Sequence, residues 1–182
     1  MPHIQEYLDE VNEIFGFYFD IVLACNSARR EFLQLQATHN ISDDSPFMVK
    51  EGPPSKTPDE EMETSIHSTT LSAVKSRMDS NGFDTIRAAE AAIIFAYHVW
   101  EEKYRNNLTK KDGTSLRPVS SDIMGDLRLI RNSIIHNKGI TKNDIVKCKI
   151  FTKFSPGERI ALSSHDICAI ISEIRKDLVR HA

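Results

Sequence analysis

The sequence predicts an all-α fold, a helical bundle of four to five helices with a small β-hairpin before the C-terminal helix. Three observations lead to this prediction. Apolar residues recur at helical spacing along much of the chain, helix-start signals precede several of these stretches, and apolar residues alternate in one short region near the end. The chain has 182 residues, of which 40% are hydrophobic. We therefore expect a single domain over residues 1–182.

A long amphipathic helix is predicted first, over residues 4–36. Apolar side chains recur there every three or four positions, from Ile4 to Phe32, which is the spacing of one helix face. Gly16 lies inside this stretch and lowers its helix propensity by about 1 kcal/mol. Residues 40–58 follow with four prolines among serines and acids, and this composition predicts a flexible loop.

The most apolar helix is predicted for residues 85 to about 108. Apolar residues surround it on nearly all sides, so it is expected at the centre of the bundle. The alanines of residues 88–96 would allow a close helix approach or a subunit contact. Glu90 and His98 lie inside this apolar stretch. We expect them to point outwards or to pair with a neighbour, because lone buried acids are rare.

Two further helices are expected in the second half of the chain. One runs from Asp122 to about Asn137, and Gly139 follows it as a stop signal. The last helix begins at Ser163, where Asp166 three positions later completes a helix-start pattern. Its apolar stripe consists of Ile167, Ile170, Ile171, Ile174 and Leu178.

The small hairpin is predicted between these two helices, from residues 146–151 and 159–162. Apolar and polar residues alternate over Val146–Ile150, as they do on a strand with one buried face. The turn would be formed by Ser155-Pro156-Gly157.

The composition excludes several classes of protein. No apolar run reaches the roughly 20 residues that cross a bilayer, and the N-terminal residues do not resemble a signal peptide. The three cysteines, Cys25, Cys148 and Cys168, are far apart, so neither a disulfide framework nor a zinc site is predicted. Reduced cysteines and a cytoplasmic location are expected.

No metal site is predicted either. The seven histidines never occur three or four positions apart, which is the spacing that places two imidazoles on one helix face. Glycine-rich phosphate-binding loops are also missing from the sequence. We therefore expect no metal and no cofactor.

Charge is distributed unevenly along the chain. The net charge is −3, yet residues 127–162 hold eight basic and two acidic side chains, a local charge of +6 that leaves −9 for the rest. Such a basic region could attract a phosphate backbone. The simpler interpretation is a solvated loop and hairpin with exposed lysines, and the sequence leaves both open.

The helix that begins at Asp122 carries an unusual arginine. On an ideal helix with about 100° per residue, Arg131 lies about 40° from Leu127 and inside an apolar arc. A charge there is costly unless it is paired or faces a cleft or a subunit interface. His136 lies about 140° from Arg131. The two would meet only if the helix loosens before Gly139, if the arginine reaches round, or across a dimer.

At these residues the sequence resembles the HEPN superfamily. Ribonucleases of this superfamily carry an arginine, often followed by a polar residue, and then a histidine after four to six intervening positions. The matching run is Arg131-Asn132-Ser133-Ile134-Ile135-His136, between Leu127-Arg128-Leu129-Ile130 and Asn137-Lys138-Gly139. The resemblance also covers the order of helices over most of the chain and is weakest in residues 40–80.

Two other arginine–histidine pairs have the same spacing. Arg159 and His165 are separated by a predicted strand and a helix cap, and Arg175 and His181 lie at the end of the chain. Only Arg131 and His136 combine the adjacent polar residue, the helix and the flanking apolar positions.

The resemblance implies metal-independent RNA cleavage that uses the 2′-hydroxyl as nucleophile and leaves a 2′,3′-cyclic phosphate. His136 would transfer the proton, and Arg131 would hold the phosphate and stabilise its growing charge. Asn132 would orient the histidine or the phosphate. The positions assigned to substrate binding flank this pair: Arg128, Asn137 and Lys138.

The resemblance also implies a homodimer with a composite site, because HEPN ribonucleases bring two copies together at an interface. The expected partners are RNA, a second copy of the chain, and an antitoxin or other protein if the chain is a toxin or defence effector. Two other hypotheses stay open: a non-catalytic HEPN-like module that binds a nucleotide, RNA or a protein, and an unrelated helical dimerisation protein. In a purely structural role, Arg131 would pair with Glu101, Glu102 or Asp126, and His136 would cap the helix.

Overall fold

The fold is that of a computed structural model, which describes residues 2–50, 57, 65–105 and 121–180. These residues are mostly helical with one small antiparallel sheet, as the predicted fold class requires, and they contain five α-helices. Within the same ranges, no helix has both the length and the apolar character needed to cross a membrane. The helices are α1 (Pro2–His39), α2 (Leu71–Arg77), α3 (Phe83–Val99), α4 (Asp122–His136) and α5 (Ser164–Arg180).

Local signals placed most of the helix boundaries within a few residues. The helix predicted over 4–36 is α1, and α3 continues into a π-helical segment, Trp100–Tyr104. The helix-start pattern before α5 is a capping box. Ser163 Oγ accepts the N–H of Asp166 at 3.3 Å, and the Asp166 carboxylate accepts the N–H of Ser163 at 2.8 Å. Such reciprocal bonds satisfy N–H groups that have no partner inside the helix.

The prediction that residues 146–151 and 159–162 form a hairpin is wrong. Residues Asn143–Lys147 form a 3-10 helix, and the only pairing of Arg159 is an isolated bridge to Ile140. Asp126 explains the difference. Its carboxylate accepts the backbone N–H groups of Lys149, Ile150 and Phe151 at 2.7–2.9 Å. These are donors that a β-ladder in this segment would have needed.

The sheet lies elsewhere, and its first strand lies inside the region predicted to be a loop. Strand β1 (Pro46–Lys50) pairs with antiparallel β2 (Ser65–Thr70), with Pro46 opposite Thr70. The loop prediction for 40–58 is therefore wrong at residues 46–50. Pro46 is tolerated because it is the first residue of an edge strand. Residues 40–45 and 57 have turn, bend or irregular backbone. Residues 51–56 and 58 lie outside the described ranges, so the flexibility of this segment stays a prediction.

The chain forms two compact units, Met1–Ile21 with Ile86–Ala182, and Val22–Thr85. In the second unit, the Phe32 ring meets Phe47 edge-on at 5.5 Å, and Lys75 Nζ contacts the Asp43 carboxylate at 2.6 Å. These contacts join α1 to β1 and α2 to the turn before β1. The prediction of a single domain stays a prediction.

The first unit has the larger apolar core. Its fully buried side chains come from α1, α3, α4, α5 and the segment before α5, and include Tyr7, Phe15, Tyr18, Ile93, Ile123, Leu127, Ile130, Ile160, Ile167, Ile170, Ile174 and Leu178. The alanines of α3 belong to this interior as well. Ala88, Ala89, Ala92 and Ala96 are between 0% and 6% exposed. They are therefore used for close packing within the chain and do not form a free face for a subunit contact.

Candidate functional site

Helix α4 is regular to its last residue, His136. Just beyond it, the N–H groups of Asn137 and Gly139 both donate to the Ser133 carbonyl, at 3.1 and 3.0 Å. Lys138 and Gly139 adopt left-handed backbone angles, with φ of 54° and 77°. The helix thus ends in a tight turn. It does not loosen before Gly139, so this way of bringing Arg131 to His136 is excluded.

Arg131 is half-buried and lies on an aromatic ring. Its guanidinium carbon is 6.0 Å from the centre of the Tyr97 ring, on α3, a distance at which the negative face of the ring attracts a cation. One Nη donates to Asn132 Oδ1 at 3.2 Å. The Nε of Arg131 is buried and has no hydrogen-bond partner. Asn132 therefore orients the arginine.

Two of the three carboxylates that could have neutralised Arg131 have other contacts. Glu101 accepts the Tyr97 hydroxyl at 3.1 Å and lies 3.9 Å from Arg105. Asp126 accepts the three backbone N–H groups named above. No carboxylate of the described residues forms an ion pair with Arg131. The purely structural interpretation, in which such a carboxylate closes the arginine off, is therefore not supported.

His136 is exposed at the end of α4. The bonds that close the helix end come from the backbone of Asn137 and Gly139, so His136 does not act as the cap. Among the described residues, no hydrogen bond joins His136 to Arg131. One chain therefore presents the arginine and the histidine from different sides of the same regular helix.

The three residues predicted to bind substrate differ in their surroundings. Arg128 is exposed and lies one turn before Arg131. Asn137 is half-buried, and its Nδ2 donates to the Ile140 carbonyl at 2.6 Å, so it stabilises the turn. Lys138 is exposed in the left-handed region, where a side chain other than glycine is strained. Their contact with substrate stays a prediction.

A second contact of α3 with α4 lies beside that turn. Glu90 is only 3% exposed. One of its oxygens pairs with Arg87, and the other, Oε1, is buried without a hydrogen-bond partner. A Cβ at Gly139 would lie 3.3 Å from that oxygen. Because Tyr97 lies beside Arg131 and Glu90 beside Gly139, the two helices run antiparallel. The expected pairing of Glu90 is confirmed, but Glu90 does not point outwards.

A cleft of about 200 Å³ opens beside Arg128. It lies between the π-helical segment and the first turns of α4, and its walls include Tyr97, Trp100, Arg105 and Gly125. Neither Tyr97 nor Arg105 was predicted from the sequence to belong to a site. The spacing Tyr97–Glu101–Arg105, with four positions in each step, is a signal that could have found them, because such residues are neighbours on a helix.

The basic region of residues 127–162 is partly neutralised. Lys149 Nζ lies 2.6 Å from Asp122, and Lys153 Nζ lies 2.6 Å from Asp166. Both carboxylates come from outside that region. The two lysines therefore contribute less to the local potential than the sequence count suggests, whereas Arg128 and Arg131 form no ion pair with the described residues.

No family model, curated protein or solved structure matches this chain. The resemblance to the HEPN superfamily therefore rests on the residues from Leu127 to Gly139 and on the order of helices. It stays a prediction, and the function must be argued from the geometry of α3 and α4.

Proposed function

We propose that this chain is a metal-independent RNA endonuclease of the HEPN type that works as a homodimer. The observation that carries the proposal is the environment of the Arg131 side chain. It is half-buried on Tyr97, held by Asn132, and not neutralised by any carboxylate in the part of the chain that the structure describes. An immobilised guanidinium that keeps its charge is suited to a phosphate.

The reaction is a transesterification. The ribose 2′-hydroxyl attacks the adjacent phosphorus, the bond from phosphorus to the 5′-oxygen breaks, and the products are a 2′,3′-cyclic phosphate and a 5′-hydroxyl. A neutral His136 accepts the proton of the 2′-hydroxyl, and a protonated His136 of the second subunit donates a proton to the leaving oxygen. Arg131 binds the non-bridging oxygens, where negative charge grows.

A second copy is required because Arg131 and His136 diverge within one chain. The buried alanines of α3 are not available for the contact. Exposed apolar side chains on the same two helices are better candidates, namely Phe95 on α3, 55% exposed, and Ile135 on α4, 43% exposed. A two-fold contact that buries both side chains would place α4 of each subunit beside the other.

The direct test is RNA cleavage in EDTA. The wild type is expected to cleave single-stranded RNA and to leave DNA intact, because DNA lacks the 2′-hydroxyl. Arg131→Ala and His136→Ala should each lower the rate by about 10²- to 10⁴-fold. Product ends are read by mass spectrometry as 2′,3′-cyclic phosphates.

Two exposed histidines provide matched controls for that test. His165→Ala, at the accidental match with Arg159, and His98→Ala, on α3, should leave the rate unchanged. Cleavage that survives in both Arg131→Ala and His136→Ala would disprove the assignment. A role as a toxin or defence effector, which the resemblance also implies, follows only if the activity is found.

A non-catalytic module that binds RNA is the second candidate. It is favoured by one observation, the separation of His136 from Arg131 within a single chain. This candidate expects RNA binding without cleavage, with binding weakened by Arg131→Ala but not by His136→Ala. The cleavage assay and a binding assay on the same variants separate the two functions.

A further inference from the structure

The charges of three arginines act on the buried Tyr97 side chain. Arg131 lies over its ring, and the charges of Arg105 and Arg128 both act on its hydroxyl group. Burial and the Glu101 carboxylate raise the pKa of Tyr97, whereas these two arginines act in the opposite direction. Tyr97 therefore links the cleft, which Arg105 and Arg128 line, to the arginine of the proposed active site.

Positive charge exceeds negative charge around Tyr97. Glu101 is the carboxylate that acts on Tyr97, and it is shared between the Tyr97 hydroxyl and Arg105, from which it is 3.9 Å away. A second carboxylate, Asp177, accepts the hydroxyl of Ser121 at another wall of the cleft. No ion pair to Arg128 or Arg131 occurs in residues 2–50, 65–105 and 121–180. The cleft is lined by Arg105, which pairs with Glu101, and by Arg128, which has no ion pair in those ranges. A concave surface with two guanidinium groups, one of them not ion-paired, attracts an anion and can bind it with paired hydrogen bonds.

The size and the walls of the cleft decide which part of a nucleotide fits. Its volume of about 200 Å³ is below the roughly 300–1,000 Å³ of pockets that enclose whole small molecules. Tyr97 and Trp100 are only 3% and 2% exposed, so neither offers a free ring face on which a base could stack. The cleft is suited to a phosphate and its sugar edge, which carry no sequence information.

We propose that this cleft is a subsite for the backbone phosphate next to the scissile one in single-stranded RNA. The position of this subsite along the RNA rests on the proposed function, because that function defines which phosphate is the scissile one. Arg105 and Arg128 bind the flanking phosphate, and Arg131, one helical turn from Arg128, binds the scissile phosphate. Recognition in this subsite is independent of base sequence.

The salt dependence of binding tests the subsite without any need for cleavage. A fluorescein-labelled eight-nucleotide RNA is titrated into the His136→Ala protein at several salt concentrations, and binding is read by fluorescence polarisation. When an arginine that binds one phosphate of a single strand is replaced, the slope of log K against log salt should become shallower by about 0.7. Arg105→Gln and Arg128→Gln are each expected to produce a change of this size.

Arg175→Gln is the matched control. Arg175 is an exposed arginine of α5 that donates to Asn12 at 2.6 Å, away from the cleft, and its replacement should leave the slope unchanged. Trp100 is the only tryptophan and lines the cleft, so its emission spectrum reports whether each variant keeps the local fold. Unchanged slopes in both Arg105→Gln and Arg128→Gln overturn the proposal.

A comparison of substrates separates the subsite from the proposed function. A dinucleoside monophosphate has one phosphodiester and no flanking phosphate, whereas a longer RNA has both. Arg105→Gln should raise KM for the longer RNA about tenfold, leave kcat nearly unchanged, and leave the dinucleoside unaffected, because uniform binding energy acts on KM. An equal effect on both substrates overturns the subsite.

The experiments distinguish a failure of the proposed endonuclease activity from a failure of the proposed phosphate subsite. A wild type that cleaves no RNA contradicts the endonuclease, while the salt slopes still decide whether the cleft binds phosphate. A wild type that cleaves RNA, with slopes and KM unaffected by Arg105→Gln and Arg128→Gln, contradicts the subsite and leaves the endonuclease standing.

Discussion

Arg131 and Gly139 show how single residues of α4 and its end depend on α3. The arginine keeps its place on an apolar arc because the Tyr97 ring and Asn132 replace the carboxylate that it would otherwise need. The glycine keeps its place because its backbone is left-handed and because an added Cβ would lie in tight contact, 3.3 Å, with Glu90 Oε1. Both residues are therefore explained by tertiary contacts rather than by helix propensity.

Gly139→Ala is expected to lower the free energy of unfolding by about 1–2 kcal/mol. An L-residue at this left-handed φ costs about that much, and the new methyl group would press on Glu90 Oε1. Gly125→Ala, within α4, is the matched control. No atom outside the helix's own backbone lies within 4 Å of its added Cβ, so the substitution should stabilise by about 0.5–1 kcal/mol. Urea denaturation of both variants measures the difference, and equal shifts would contradict the strain argument.

At the scale of secondary-structure elements, carboxylates decide the path of the chain between α4 and α5. Asp126 binds three consecutive backbone N–H groups after the 3-10 helix. Asp166 then caps α5 and also accepts from Lys153 Nζ at 2.6 Å. The segment for which the sequence predicts a hairpin is thus held by side chains of the two neighbouring helices.

The Asp166 cap should make stability depend on pH. Burial of Asp166 raises its pKa, but hydrogen bonds from Lys153 and Ser163 outweigh burial and hold the pKa below its ordinary value of 3.8. A group whose pKa is lowered by folding stabilises the fold above its unfolded pKa, and this stabilisation is lost as pH falls through the folded pKa. Asp166→Asn should therefore destabilise the protein by about 1 kcal/mol at pH 7.

Thermal denaturation at several pH values measures that effect. The difference between wild type and Asp166→Asn is expected to shrink as pH falls below the ordinary pKa of 3.8, because protonation removes the charge that the substitution lacks. Asp20→Asn, at an exposed position of α1, is the control and should track the wild type. A difference that stays constant from neutral pH into strong acid would show that the charge of Asp166 is not what stabilises α5.

On the scale of the whole molecule, the proposed site is incomplete in one copy. Its arginine and histidine leave α4 in different directions, and two apolar side chains on these helices, Phe95 and Ile135, are 55% and 43% exposed. A homodimer would supply both the second histidine and a cover for these side chains. An isologous contact is the commonest closed arrangement of two copies.

Light scattering at micromolar concentration is expected to give the mass of a dimer. Phe95→Asp and Ile135→Asp should shift the mass towards the monomer and reduce RNA cleavage with it, because each introduces a charge into the proposed contact. Phe17→Asp is the control, since Phe17 is 57% exposed on α1 and lies outside that contact. A wild type that is monomeric and still cleaves RNA would contradict the composite site.

The helices and the candidate pair Arg131–His136 were predictable from the sequence because both depend on residues close together in the chain. Apolar periodicity and capping residues placed α1, α4 and α5 to within a few positions. The same helical geometry predicted that Arg131 and His136 diverge, which agrees with a regular α4 ending at His136.

Contacts between distant residues decided the rest. The sheet formed at 46–50 and 65–70, whereas Asp126 used the donors of the segment in which the hairpin was predicted. Tyr97 and Arg105 joined Arg128 only through the antiparallel packing of α3 and α4. Such pairings depend on which groups meet in space and which hydrogen-bond donors are already occupied. Local periodicity therefore determined where the helices lie, and tertiary packing determined which charged side chains are ion-paired.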